Sequence, residues 1–236
     1  MLLRSLTKHV KDQNWFAVFL DFFIVVAGIL IAFQITNWNE DRQSRIADRA
    51  LVERLAEEFT TLEGLLEQRL TRAERLMGGT TELIHLVRNP DETADTKKVN
   101  DLIIQAARYS APVASPTSFA DALQAGRINN LQNANLRKAL NAYVISTDWW
   151  ATVDGPPQPQ IDPDSKFSQA ITWKVDGNLE TAGDREVSSY DWDKLILAER
   201  DLVNIQRKQV LQAEAYRLEL VEVENILNTL NANRSR

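Results

Sequence analysis

The run WFAVFLDFFIVVAGILIAFQITNW, Trp15 to Trp38, decides how the rest of the chain is read. Twenty-two residues separate the two tryptophans, and Asp21 is the one charged residue among them. At the α-helical rise these residues extend over about 33 Å, close to the hydrocarbon thickness of a bilayer. Tryptophan at either end suits the headgroup level, so Trp15 and Trp38 are expected to be interface anchors. A buried core helix is the competing reading. Against it, Phe22 to Phe33 carries no polar side chain on any face. The run is read as a transmembrane helix.

Ahead of it, residues 1–14 carry Arg4, Lys8 and Lys11 beside an apolar face of Leu2, Leu3, Leu6 and Val10. That composition fits a short basic interfacial helix on an anionic leaflet, and it equally fits an irregular basic tail. The apolar core ends Phe33-Gln34-Ile35-Thr36-Asn37-Trp38, without the small residues of a signal-peptidase site. An uncleaved signal anchor is therefore expected. Basic residues nearly balance across the run, with Arg42, Arg45, Arg49 and Arg54 on its far side. Net charge leans one way: residues 1–14 sum to +2 (three basic less Asp12), and residues 39–58 to −2 (four basic less six acidic). The expected orientation puts the N-terminus in the cytoplasm and the main domain in the periplasm of a bacterial inner membrane.

Within the run, Gly28 and Ala32 form a small-xxx-small pair that permits close helix approach. Two readings of Asp21 stand. Either it lies shallow and reaches the interface, or it is a functional intramembrane acid, because a carboxylate at that depth needs a proton, a partner or water.

Beyond Asn39 the pattern becomes amphipathic. Ala47, Leu51, Leu55, Phe59, Leu62, Leu66, Leu70, Ala73 and Met77 recur at a mean step of 3.75 residues, near the helical period. The span and this segment are expected to run on as one helix, with Gly78-Gly79 a hinge, cap or kink and an end before Asn89-Pro90. The expected organisation is a stalk helix over 39–88, a partly irregular head over 89–191, and a heptad helix over 192–236. Within the head, helices are expected near 97–109, 118–125 and 134–151. Gly126 should close the second, and Asn129-Asn130 should turn. The polar loop 89–96 holds Asp91, Glu92 and Asp95 but lacks calcium-loop spacing. Gly155-Pro156-Pro157, Pro159 and Pro163 make a stiff excursion. Ala170 to Val175 reads as a strand before the turn dipeptide Asp176-Gly177. Trp149, Trp150, Trp173 and Trp192 read either as an aromatic platform or as plugs of a small core. In the last helix Leu195, Ala198, Leu202, Ile205, Gln209, Gln212, Tyr216, Leu220, Val223, Leu227 and Leu230 form a heptad seam with one stutter. Gln209 and Gln212 give that seam a polar centre. The fold class is all-α: one N-terminal span continuing into a long antiparallel helical stalk with a small head.

Chemistry-bearing patterns are sparse. Cysteine is absent, which rules out disulfides and thiolate sites, and the two histidines, His9 and His85, cannot supply a multi-histidine centre. A net charge of −6 argues against nucleic acid as a partner. No nucleophile elbow or phosphate-binding glycine loop occurs. Neither enzymatic activity, a metal nor a cofactor is expected.

The opening KHVKDQNWFAV with LDFFIVVAGILIAFQITNWNEDR, residues 8–42, resembles the start of a bacterial family of unknown function with a single N-terminal span. The stretch SFADALQAGRINNLQNANLRKALNAYV, residues 118–144, is similar to that family's second recurring unit, a helix-glycine-turn-helix. The resemblance implies an anchored helical protein and assigns no catalytic residues. The expected role is structural or accessory: a protein that self-associates, as a homo-oligomer, and/or binds partner membrane proteins through its span and helical stalk. An alternative comes from a second resemblance. A basic tail, a span with an early acid and an extracytoplasmic domain look like the single-span subunits of flagellar-stator and TonB-energising motors. That likeness implies an ion-carrying role for Asp21 and a multi-span partner.

Overall fold

The computed structural model describes residues 15–90, 94–110, 112–153, 162, 164–174 and 186–234. The expected interfacial segment with Arg4, Lys8 and Lys11, the carboxylates Asp91 and Glu92, the Pro-rich excursion with Pro163, and the Asp176-Gly177 turn lie outside these residues. So do the side chains of Trp15, Trp149 and Trp150.

Helix α1 spans Trp15–Arg88 without interruption. The chain divides into two compact units, Met1–Glu53 and Arg54–Arg236, and α1 contributes to each. In the first unit α1 is the only described element. In the second, α1 is followed by α2 (Thr96–Ala106), α3 (Thr117–Gln124), α4 (Arg127–Asn130), α5 (Ala134–Val153) and α6 (Lys166–Gln169). Strands β1 (Ile171–Trp173) and β2 (Val187–Tyr190) come next, then α7 (Trp192–Leu197) and α8 (Glu199–Arg234). The described chain is helical apart from one antiparallel strand pair, whose register sets Ile171 against Tyr190 and Thr172 against Ser189.

Local chemistry explains most helix ends. Asp95 accepts the Lys97 N–H at 3.0 Å to cap α2, and Asn133 Oδ1 accepts the Asn135 and Leu136 N–H groups to start α5. Gly126, at φ 67°, takes the left-handed turn between α3 and α4. Helix α3 begins after Pro116 with no cap from its own chain neighbours. Glu58 of α1 does that work instead, accepting the Ser118 N–H at 2.9 Å and its hydroxyl at 2.7 Å.

Helix α8 runs antiparallel to the Arg54–Arg88 part of α1. Arg88 pairs with Glu199 at 2.7 Å, Gln206 donates to Thr81 at 2.6 Å, and Arg217 pairs with Glu74 at 2.6 Å, so one helix descends as the other climbs. The buried stripe of α1 runs Leu62, Leu66, Ala73, Leu76, Thr80, Leu83 and Val87. From Ala73 its steps alternate three and four, the 3.5-residue repeat of two helices packed along their length. Leu70 and Met77, expected in this stripe, lie half-buried beside it, because 3.5 rather than 3.75 is the period that keeps facing a partner helix.

Two groups of packed side chains stand out in the core of the described residues. Phe59, Phe119 and Tyr143 meet edge to face, with ring centroids 5.3 to 5.7 Å apart, and lock α1, α3 and α5 together. The other cluster joins Leu83 and Val87 of α1 to Leu102 and Ile103 of α2, Phe167 of α6, Ile171 and Val187 of the strands, and Leu195 and Leu202. Trp173, Tyr190 and Trp192 pack against it half-buried. These two tryptophans therefore plug a core and do not form an open platform.

Three local expectations are corrected. Gly78-Gly79 is no hinge, for α1 passes straight through it. The reason lies in packing: a Cβ on Gly79 would stand 2.9 Å from Gln105 Cβ and 2.6 Å from its Cδ, so this glycine lets α2 approach α1. Asn129 and Asn130 belong to a short helix. The last helix is two, divided at Ala198, where α6 docks and Asp201 accepts the Phe167 N–H at 3.2 Å.

Candidate membrane span and polar seam

From Phe19 to Trp38 the side chains of α1 are exposed on every face, apart from half-buried Val26 and Ala27. Phe22 is 66 % exposed, Phe33 63 % and Trp38 60 %. An apolar helix of this length left uncovered is unfavourable in water, and lipid is the solvent that removes the penalty. One N-terminal helix is thus long and apolar enough to cross a membrane. Thr36 satisfies its hydroxyl inside the helix by donating to Ala32 O at 3.0 Å, as Thr60, Thr61 and Thr71 do further along α1. Phe19 and Phe23 stack, with centroids 6.5 Å apart.

Asp21 is exposed and has no hydrogen bond or ion pair among the described residues. Gly28 and Ala32 are exposed, and a Cβ on Gly28 would meet nothing within 4 Å. The small-residue face is open to a neighbouring helix. At the span's end the Arg42 guanidinium lies 5.9 Å from the centre of the Trp38 ring, a cation–π arrangement.

The polar seam is met within the chain except at Gln209 Oε1, which is buried with no hydrogen-bond partner among the described residues. Gln209 is buried, and its Nε2 donates to the carbonyls of Gln105 and Arg108, each at 3.2 Å, where α2 ends. Gln212 pairs with both backbone groups of Ser110, accepting its N–H at 3.1 Å and donating to its carbonyl at 2.6 Å. The two glutamines thus hold the segment that leaves α2 onto α8. Of the residues whose backbone they bond, Ser110 is buried, and the Gln105 carbonyl also accepts the Arg108 N–H at 3.3 Å. The stripe they interrupt also differs slightly from expectation, with Ala213 and Ile226 buried and Gln212 and Leu227 half-buried.

A second polar pair was not legible from spacing. The Tyr143 hydroxyl, inside the aromatic cluster, donates to Glu219 Oε1 at 2.9 Å. Burial, then the Glu219 charge, raises the Tyr143 hydroxyl, and burial raises the Glu219 carboxyl above the usual range while the Tyr143 hydrogen bond draws it back. A partner 76 residues away leaves no local sequence signal.

Elsewhere, Thr60, Glu63, Glu224, Leu227, Asn228 and Asn231 line a shallow groove of about 420 Å³ between α1 and α8. Among the described residues no three histidine, cysteine or acidic side chains gather where a metal would sit. What the fold defines is a class: a helical protein with one uncovered apolar N-terminal helix and an antiparallel helical domain. Set against protein-family models, curated proteins and solved structures, the chain matches none.

Proposed function

We propose that the chain is a single-pass membrane protein with a structural or accessory role, holding its helical domain at a membrane and meeting partners through its span. The observation that carries this reading is the helix exposed from Phe19 to Trp38. The open Gly28–Ala32 face supports association within the bilayer, either with a second copy or with a partner membrane protein. Support for self-association through the C-terminal seam falls away, since that seam is occupied by α1, α2 and α5. Charge balance around the span favours the N-terminus in the cytoplasm, with the helical domain outside. Chemical crosslinking in native membranes, followed by mass measurement in detergent, tests the role. Oligomers or a stoichiometric membrane partner are expected, and a monomer without partners contradicts it.

Asp21 favours a second reading. An ionised carboxylate near the start of a span costs a few kcal/mol, about 2.5–3.5 at mid-helix by insertion scales, unless something pairs with it. Its lack of a partner among the described residues fits a subunit that brings an acid to a multi-span protein for ion-coupled work. Asp21→Asn would then abolish coupling and leave assembly intact, whereas unchanged function in that variant removes this reading.

A further inference from the structure

Past the apolar run, α1 carries Arg42, Arg45 and Arg49 at steps of three and four, so they share one helical face. That face prolongs the line of Ile31, Ile35 and Trp38. Leu51, the first fully buried residue of α1 among those described, lies two positions after Arg49 and so about 200° round the helix. All three arginines are exposed. Asp41 and Asp48 stand one turn either side of Arg45, yet no ion pair joins the three arginines to any described residue.

Direction matters as much as charge. Side chains of an α-helix lean toward its N-terminus. Here the N-terminal direction is toward the apolar run. Arg42 displays the lean, its guanidinium reaching back one turn to lie over the Trp38 ring at 5.9 Å. Along the axis the three arginines stand about 6, 11 and 17 Å past Trp38. The headgroup layer is about 5–8 Å deep on each side of the hydrocarbon. Arg42 and Arg45, leaning back, end inside that layer, and Arg49 ends within about one Debye length of it. Every basic residue from Trp38 to Arg88, histidine aside, is arginine. The planar guanidinium matches phosphate with two parallel hydrogen bonds, which an ammonium cannot do.

We propose that Trp38 and the Arg42–Arg45–Arg49 face form a binding surface for anionic phospholipid headgroups where the helix leaves the bilayer. This rests on the membrane-anchor reading above, and the test separates the two. The full chain is placed in nanodiscs of equal phosphatidylcholine and phosphatidylglycerol, and the lipids it retains on ejection are counted by native mass spectrometry. Wild type is expected to keep phosphatidylglycerol in excess. The triple variant Arg42→Gln, Arg45→Gln, Arg49→Gln is expected to lose about fivefold or more of that enrichment, since one arginine near an anionic surface contributes about that factor. The charge-matched control Arg75→Gln, Arg200→Gln, Arg207→Gln should keep it. Equal loss in both triples reduces the effect to net charge and overturns the site. Equal retention of both lipids by a stably inserted wild type overturns the site and leaves the anchor standing. Release of wild type from the discs overturns the anchor as well. Displacement of the lipid by millimolar inorganic phosphate would assign the arginines to a soluble anion and overturn the lipid surface.

Discussion

At Glu219 a carboxylate is held where burial disfavours its charge, with the Tyr143 hydroxyl as its hydrogen-bond donor at 2.9 Å. A carboxyl raised in the folded state takes up its proton there before it does so in the unfolded chain. Between the unfolded and folded values the folded state therefore holds more protons, and this group's contribution to stability falls as pH rises through that window. Glu219→Gln is expected to melt higher than wild type at neutral pH, with the gap closing below the ordinary carboxyl range. Parallel melting curves at all pH values contradict this. Tyr143→Phe removes the donor and should destabilise by about 1–3 kcal/mol at neutral pH. The adjacent glycines give an opposed pair. Gly78 has open space, so Gly78→Ala should gain up to about 1 kcal/mol of helix propensity. Gly79→Ala meets Gln105 and should lose more than it gains, since overpacking costs about 1–3 kcal/mol. Thermal unfolding of the two variants decides, and a rise in both would mean that α2 does not sit against α1 as described.

At the scale of elements, the test falls on Gln209. If its role were only to interrupt an apolar seam, Gln209→Leu would stabilise α8 against its neighbours. Because its amide donates to the Gln105 carbonyl in the last turn of α2 and to the Arg108 carbonyl just beyond it, the same change should destabilise by about 1–3 kcal/mol and speed amide exchange around residues 106–110. Higher stability in that variant contradicts the capping role. The two long helices were legible because their apolar residues repeat over many turns, and Gly126 was legible because a left-handed turn asks for glycine. Other features depend on distant partners. The break at Ala198 has neither glycine nor proline to announce it and follows from α6 docking on Asp201. Strand β2, Val187–Tyr190, shows no alternation long enough to read, and it exists because β1 pairs with it. Gly79 looked like a breaker because sequence shows a missing side chain and not the neighbour that needs the space.

For the whole molecule, the apolar run was the plainest signal in the sequence, since a helix without a polar face has few solvents available to it. Its exposure in the fold agrees, while the role of Asp21 and the identity of any partner depend on molecules that this chain does not encode. The Arg54–Arg236 unit has its own core, so a chain starting at Arg45 should be helical by circular dichroism and monodisperse without detergent. Aggregation of that truncated chain would mean that the apolar run completes the fold. The most direct measurement uses the absence of native cysteine. Spin labels are attached through Ile24→Cys, Ile29→Cys, Phe33→Cys and, past the span, Ile46→Cys, in the full chain reconstituted in vesicles, and relaxed by oxygen or by a water-soluble nickel chelate. Labels at 24, 29 and 33 should respond to oxygen and be shielded from the chelate, and the label at 46 should show the reverse. Ready access of the chelate to all four positions would contradict a bilayer around this helix.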